Sequence, residues 1–168
     1  MNKLETTLLY LRKNDEILLA KKKRGFAKDK YNGVGGKVEN GETPEEAAIR
    51  ECKEEISVKP TKYEKVGVIE YDEYYKGKRE QIIVHVYISD KWTGEPKESD
   101  EMIPKWFNIN SLPYKEMIGD DPYWLPLVLE GKKVKGFFQF SEDWKIIKHE
   151  VKVKEELYVK DDVETRNI

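Results

Sequence analysis

Residues 35–58 read GGKVENGETPEEAAIRECKEEISV, a glycine pair followed by a run that opens a helix and charges one side of it. Thr43 is placed to cap that helix, Pro44 suits its first turn because the missing N–H costs nothing there, and Glu46 completes a Thr-x-x-Glu capping box. The spacing predicts a helix over 44–56, ending before Ser57 and Pro60. At 100° per residue, Ala48, Ile49, Cys52 and Ile56 share one arc, the face expected to meet a sheet. Glu51, Glu54 and Glu55 share a second arc, centred on Ala47.

An acidic arc is often plain solvated surface. A solvated face usually alternates sign, however, whereas Glu51 and Glu55 are like charges four residues apart and Glu54 crowds both. That spacing costs stability unless a cation sits among the carboxylates. Oxygen-only ligation suits Mg²⁺, or Mn²⁺, and one cysteine with two separated histidines offers zinc no site. Gly35 and Gly36 form either a simple turn or a place where backbone approaches an anion or a metal closely. Metal-assisted phosphoryl chemistry is therefore the working expectation.

Outward from this segment, strands are expected at 6–11 and 16–20, joined by a turn at Asn14-Asp15, and at 63–71, 81–89, 105–108, 134–140 and 145–152. A second helix is expected near 122–130. Strands at hairpin spacing that outnumber helices indicate an α+β domain with a mixed sheet. Four cations, Lys21, Lys22, Lys23 and Arg24, fall at the end of the second strand.

The 168 residues fit one domain, and 42 Leu, Ile, Val and Phe residues suffice for a core despite 38% charged content. A balance of 31 Lys and Arg against 33 Asp and Glu supplies no basic field, so a polynucleotide partner is not expected, while a small anionic ligand is compatible. The lone Cys52 excludes an intramolecular disulfide and fits a reducing, cytoplasmic setting. The early apolar run Leu8-Leu9-Tyr10-Leu11 stops at Arg12, too short for a signal segment, and no run approaches the ~18 residues of a membrane span. A monomer with no membrane partner is expected.

Seven of the nine positions in the pattern G-x5-E-x7-R-E-U-x-E-E-x-G-U, where U is a bulky aliphatic, are met by Gly36, Glu42, Arg50, Glu51, Glu54, Glu55 and Val58. The chain thereby resembles the Nudix hydrolases, a family that cleaves nucleoside diphosphates linked to another moiety. Cys52 stands at an aliphatic position, where it can pack as a small hydrophobe, and Ser57 stands where glycine is usual, a strained helix exit if φ there is positive. The similarity runs from about residue 4 to about 153 and is nearest to the animal-type oxidised purine nucleoside triphosphatases. It is carried by KKKRGF (21–26), YNGVGGKVENGET (31–43), KVGVI (65–69), ESDEM (98–102), PYKEM (113–117) and DDPYW (120–124). A domain over 1–154 is expected, with 155–168 a polar, loosely ordered tail.

The resemblance implies an α/β/α sandwich and a Mg²⁺ site, with Mn²⁺ as the alternative metal, built from Glu51, Glu54, Glu55 and the Gly35 carbonyl, with Glu101 a further acid near it. Arg50 would orient a glutamate of the helix by a charge-assisted hydrogen bond. Lys22 would meet the triphosphate, while Thr7, Phe26, Asn32, Gly35, Gly36, Ile118, Asp120 and Asp121 would line the substrate site. On residue type alone Glu101 is a loop acid and Asp121 before Pro122 an N-cap, while Lys22 is equally a solvated cation or a phosphate contact and Phe26 equally core or pocket. Ile118 stands where the nearest relatives have Trp and Glu73 where they have Phe, while Tyr31 and Tyr71 stand in for Trp and Phe. The reaction implied is Mg²⁺-dependent hydrolysis of oxidised purine nucleoside triphosphates, 8-oxo-dGTP with 2-hydroxy-dATP as a second candidate, to the monophosphate and pyrophosphate. Such an enzyme would cleanse the nucleotide pool. The alternatives are a Nudix enzyme for another nucleotide (an unmodified triphosphate, a dinucleotide or a capped RNA end) and a non-catalytic nucleotide-binding domain.

Overall fold

The computed structural model describes residues 3–157. β1 (Lys3–Lys13) and β2 (Glu16–Lys22) form the expected first hairpin, turning at Asn14, whose φ of 57° asparagine tolerates because its short polar side chain bonds locally. β3 (Tyr31–Asn32), too short for any periodicity to announce it, pairs with β2. Then follow α1 (Pro44–Ile56), β4 (Lys59–Tyr75), β5 (Lys78–Thr93) and β6 (Met102–Asn108). A 3-10 turn at Tyr114–Glu116, α2 (Asp121–Leu129), β7 (Lys133–Phe140) and β8 (Ile146–Lys154) complete the order.

The sheet runs β3-β2-β1-β5-β4-β7-β8, with β6 also paired to β2. β1 lies parallel to β5 and β4 parallel to β7, while the other pairs are antiparallel, so the sheet is mixed as expected. Its central strands are buried on both faces. Leu9, Leu11, Leu18 and Ala20 pack with Ala48, Cys52 and Ile56 of α1, whereas Tyr10, Ile17, Leu19, Ile69, Val84 and Val86 cluster with Trp124, Leu125 and Val128 of α2. Strand side chains alternate faces, so the two helices cover opposite sides and the result is an α/β/α sandwich. Each large aliphatic side chain sealed in these layers contributes about 1.5–3 kcal/mol.

Two expectations for α1 change. Ile49 is only partly buried, while Ala47, the expected centre of the acidic arc, is fully buried. The buried stripe is Ala47, Ala48, Cys52, Glu55 and Ile56. The helix is thus rolled so that Glu55 goes in and Glu54 stays out. β4 and β5 also extend well past the expected limits, because EYDEYYKGKRE (70–80) has no apolar alternation and is held in strand form by cross-strand pairing around Lys76-Gly77. β8 ends at Lys154, and of the expected tail, 158–168 lie outside the described residues. No helix among the described residues is long and apolar enough to cross a membrane.

Ser57 exits α1 at φ 62°, ψ 32°, the left-handed conformation anticipated where glycine is usual. Its N–H donates to the Lys53 carbonyl at 3.2 Å and the Val58 N–H to the Cys52 carbonyl at 3.3 Å, so the turn is kept despite the Cβ. A left-handed non-glycine residue costs roughly 1–2 kcal/mol, partly offset by the entropy glycine would lose. Ser57→Gly is accordingly expected to raise the unfolding free energy by about 0.5–1 kcal/mol in urea titrations. A neutral or negative change would remove the strain account of this exit.

Candidate active site

The loop before α1 lies flat on β1. Leu9 and Val34 exchange both backbone hydrogen bonds, at 2.7 and 3.0 Å, and the Thr7 N–H donates to the Gly36 carbonyl at 2.9 Å. A Cβ on Gly35 would stand 1.7 Å from the Thr7 carbonyl oxygen, and one on Gly36 would stand 2.5 Å from Glu51 Oε1. Close approach to backbone thus demands glycine at 35, whereas at 36 the neighbour is the movable end of the Glu51 side chain. Arg50 ties the loop to the helix. Its Nε and Nη2 grip both oxygens of Glu42 at 2.6 and 3.0 Å, Nη2 also reaches the Lys37 carbonyl at 3.0 Å, and Nη1 donates to Glu51 Oε1 at 3.0 Å and Glu54 Oε2 at 3.2 Å. This fork holds the Glu42 carboxyl below the usual carboxylate range. The orienting contact expected of Arg50 is therefore present, and Glu42 proves to be its main anchor.

Glu51 and Glu55 face each other across the rolled side of α1. Glu55 is buried, its Oε2 has no hydrogen-bond partner, and its carboxyl is pushed well above the usual range, first by desolvation, then by its contact with Glu51 and the charge of Glu101, with Lys22 opposing. Glu101 and Lys22 thus belong to the same neighbourhood. The strand-end cations are divided: Lys23 donates to Glu98 at 2.6 Å and Arg24 to Glu101 at 3.1 Å. Glu54 departs from the expected trio, its side chain 58% exposed and turned to Arg50. Among the described residues no three Asp, Glu, His or Cys side chains stand gathered for one ion. An orphaned buried carboxylate oxygen beside a second carboxylate nevertheless fits a hard cation, since either charge alone is costly there.

A second cluster of acids lies on the α2 side of the sheet. Asp120 and Asp121 begin α2, but neither acts as the cap anticipated for Asp121: Asp120 occupies the cap position without a side-chain cap bond, and Asp121 is inside the first turn. Both are buried, 0% and 1% exposed. Asp120 Oδ2 accepts from the Trp124 indole at 2.8 Å and from the Tyr71 hydroxyl, while Asp120 Oδ1 and Asp121 Oδ2 have no partner. Burial raises both carboxyls, Asp121 the more because Asp120 is its next largest influence. The Tyr10 phenol is pushed up by burial and by the same two acids, and its hydroxyl donates to Asn32 Oδ1 at 3.3 Å, so Asn32 borders this cluster through Tyr10.

The other expected substrate residues are spread. Thr7 is buried beneath the Gly35-Gly36 loop with an unpartnered hydroxyl, on the Leu9 face of β1, and it is Tyr10 on the opposite face that stands near the aspartates. Phe26 is not core: it is 53% exposed, 5.0 Å from the Trp144 ring, in a cavity of about 460 Å³. Ile118 is half-buried and its carbonyl accepts from the Asp121 N–H at 3.1 Å, so an aliphatic side chain stands at this point, as the sequence shows. Tyr71, Trp124, Tyr10 and Glu42 are site residues that residue type alone did not reveal. Glu42 carried a signal in its fixed spacing from Arg50, while Tyr71 and Trp124 were pointed to only through the resemblance.

The NUDIX domain signature matches residues 1–128 of the chain. The oxidized purine nucleoside triphosphate hydrolase of Danio rerio is 41% identical over 151 residues, covering 90% of this chain and 96% of that protein. Its counterpart from Mus musculus is 38% identical, covering 87% and 92%. In structure, the MutT protein of Bacillus halodurans superposes with a TM-score of 0.77 at 22% identity, covering 88% of this chain and 97% of that one, which is a likeness of fold. With the glycine loop, the Arg50 hub and the paired glutamates in these positions, the chain belongs to the NUDIX family.

Proposed function

We propose that the protein hydrolyses oxidised purine nucleoside triphosphates, 8-oxo-dGTP foremost, to the monophosphate and pyrophosphate. The observation that carries the substrate is the buried aspartate pair with two orphaned oxygens. Two carboxyls in one desolvated pocket do not both stay ionised, so the pair can donate once and accept otherwise. 8-oxo-dGTP offers an N7–H donor between its O6 and O8 acceptors, where unmodified guanine has the acceptors N7 and O6 and no donor on that edge. Each donor or acceptor left unpaired in such a site costs about 1–3 kcal/mol. The relatives from zebrafish and mouse carry the matching name.

Glu51 and Glu55, with the Gly35 carbonyl and Glu101, would hold Mg²⁺ or Mn²⁺, which when bound neutralises phosphate charge and acidifies a water, while Glu54 sits at the rim on Arg50. Arg50 orients Glu51 through Nη1. A carboxylate oxygen of Glu51, Glu55 or Glu101 left free of ligation takes a proton from the attacking water, which adds to phosphorus as pyrophosphate departs. Lys22, the cation that lowers the Glu55 carboxyl, offsets charge on the triphosphate. The test is kcat/KM for 8-oxo-dGTP, 2-hydroxy-dATP, dGTP and dATP under one set of conditions, with products resolved by chromatography. An 8-oxo-dGTP value at least about tenfold above dGTP is expected, one unpaired group's worth. Equal values would overturn the base assignment, and phosphate release in place of pyrophosphate would overturn the reaction.

A further inference from the structure

A third carboxyl stands at the base pocket with no role in the proposed reaction. Glu73 lies two residues beyond Tyr71 on β4, hence on the same strand face, and its direct partner across the hairpin is Glu80. Like charges directly opposite on a ladder destabilise it. Among the described residues Glu73 has no hydrogen bond or ion pair, and the charges that act on it are those of Asp120 and Glu80. With burial as the first cause, they push its carboxyl up to about 7. The contrast with its neighbour is instructive. Asp72, on the other face of β4, is gripped by Arg79 through both oxygens and held low. A compensating arginine is thus present one residue away but serves the other face.

The walls have a matching character. The Tyr71 ring lies 6.0 Å from Phe138 and 5.9 Å from Phe140, Phe140 lies 6.0 Å from Trp144, and Trp144 meets Phe26. Trp144 holds a φ of 63°, a costly backbone conformation for a bulky residue and one that concentrates at binding sites. Phe26 and Trp144 wall the outer cavity with Tyr74, Lys76, Gly77 and Glu142, Lys76 being at the hairpin tip. At the inner end, Asp120 Oδ1 and Asp121 Oδ2 are buried and unpartnered. Aromatic faces leading to three carboxyls form the chemistry that attracts a flat cation.

We propose that the site also takes purine nucleoside triphosphates with a formal positive charge on the imidazole ring, the N7-alkylated class, and that Glu73 is the residue selecting them. This rests on the base-site reading of Asp120 and Asp121. A cation between Glu73 and Asp120 relieves the Glu73–Glu80 and Glu73–Asp120 repulsions together, whereas a neutral purine leaves both in place. Glu73, part-protonated near neutrality in the empty site, ionises as the cation enters.

The experiment is kcat/KM for N7-methyl-dGTP, dGTP and 8-oxo-dGTP with the wild-type protein and Glu73→Gln, together with tryptophan fluorescence titrations of the wild type with N7-methyl-GMP and GMP. The wild type is expected to favour N7-methyl-dGTP over dGTP by about tenfold or more, within the range of a desolvated cation–π contact. Glu73→Gln is expected to lose most of that preference through KM, with 8-oxo-dGTP kcat/KM within about threefold of wild type. N7-methyl-GMP is expected to quench at concentrations about tenfold below GMP, a measurement that needs no variant. Equal affinity of the two monophosphates, or a Glu73→Gln loss shared equally by all three triphosphates, overturns the proposal. Failure of 8-oxo-dGTP to outrun dGTP in the wild type would instead remove the base-site reading beneath it.

Discussion

Glu55→Gln is expected to lower kcat by about 10²–10⁴-fold, the range that a positioned proton acceptor or charge partner supplies, while the folded protein keeps or gains stability. Both halves come from one geometry. Glu55 is buried beside Glu51 with an oxygen that finds no partner, so in the absence of a cation its charge is a burden on the fold. The amide removes that burden and with it the feature that would fit the pair to a cation. Steady-state turnover over a Mg²⁺ series and a urea titration of the metal-free protein check the two halves separately. Normal turnover at limiting Mg²⁺ would remove Glu55 from the metal site, and a large loss of stability would show that its charge is compensated in the fold. Glu54→Gln, on an exposed side chain held to Arg50, is expected to cost less, because there the amide changes a rim contact.

Asp121→Asn is expected to trade binding for stability. Desolvation, and then the charge of Asp120, raise the Asp121 carboxyl well above 3.8 in the folded protein. A carboxyl whose folded pKa lies above its unfolded value favours the fold at low pH. That contribution is complete below the unfolded value near 3.8 and is lost as pH climbs through the raised folded value. The wild type should therefore lose stability between mildly acidic and mildly alkaline pH, and the asparagine variant should lose less, so that its Tm exceeds wild type at pH 8 by more than at pH 5. In the base site the same change replaces a carboxyl oxygen that can either accept or carry the shared proton with a fixed donor. KM for 8-oxo-dGTP should rise about tenfold, one unpaired buried group, with the Mg²⁺ requirement unchanged. Melting curves at the two pH values and a KM comparison test this directly. An unaltered KM would mean that Asp121 does not read the base, and loss of the Mg²⁺ requirement would place it with the metal instead.

Both effects originate in contacts whose legibility in sequence differs sharply. The start of α1 could be read from a dozen consecutive residues, since a capping box, a first-turn proline and the Arg50-to-Glu42 spacing act between neighbours along one chain segment. The left-handed exit at Ser57 was legible for the same reason. The mixed sheet followed from alternating apolar runs, but its extent did not. The outer halves of β4 and β5 are polar and depend on pairing with each other. How α1 is rolled against the sheet was equally out of reach, because a wheel places three glutamates on one arc and only packing against Leu9 and Leu11 decides that Glu55 is swallowed while Glu54 turns to Arg50.

The Asp120–Asp121 pair shows the limit most clearly. Asp-Asp-Pro reads locally as a helix start, and it is one, yet the two carboxyls do not cap it. Tyr71, 49 positions from Asp120 in the chain, and Tyr10, on a different strand, meet them because β4 and β1 flank β5 in the sheet. Burial and charge spacing set whether such an acid is a cap, a ligand reader or a liability, and these are properties of residues brought together from distant positions. The sequence by itself therefore determined the family, the helix that carries the glutamates and the loop that feeds it, all encoded by short-range spacing. Only the tertiary structure decided which acids are buried, which are paired and which keep an oxygen without a partner, because desolvation and electrostatic coupling act through space and not along the chain.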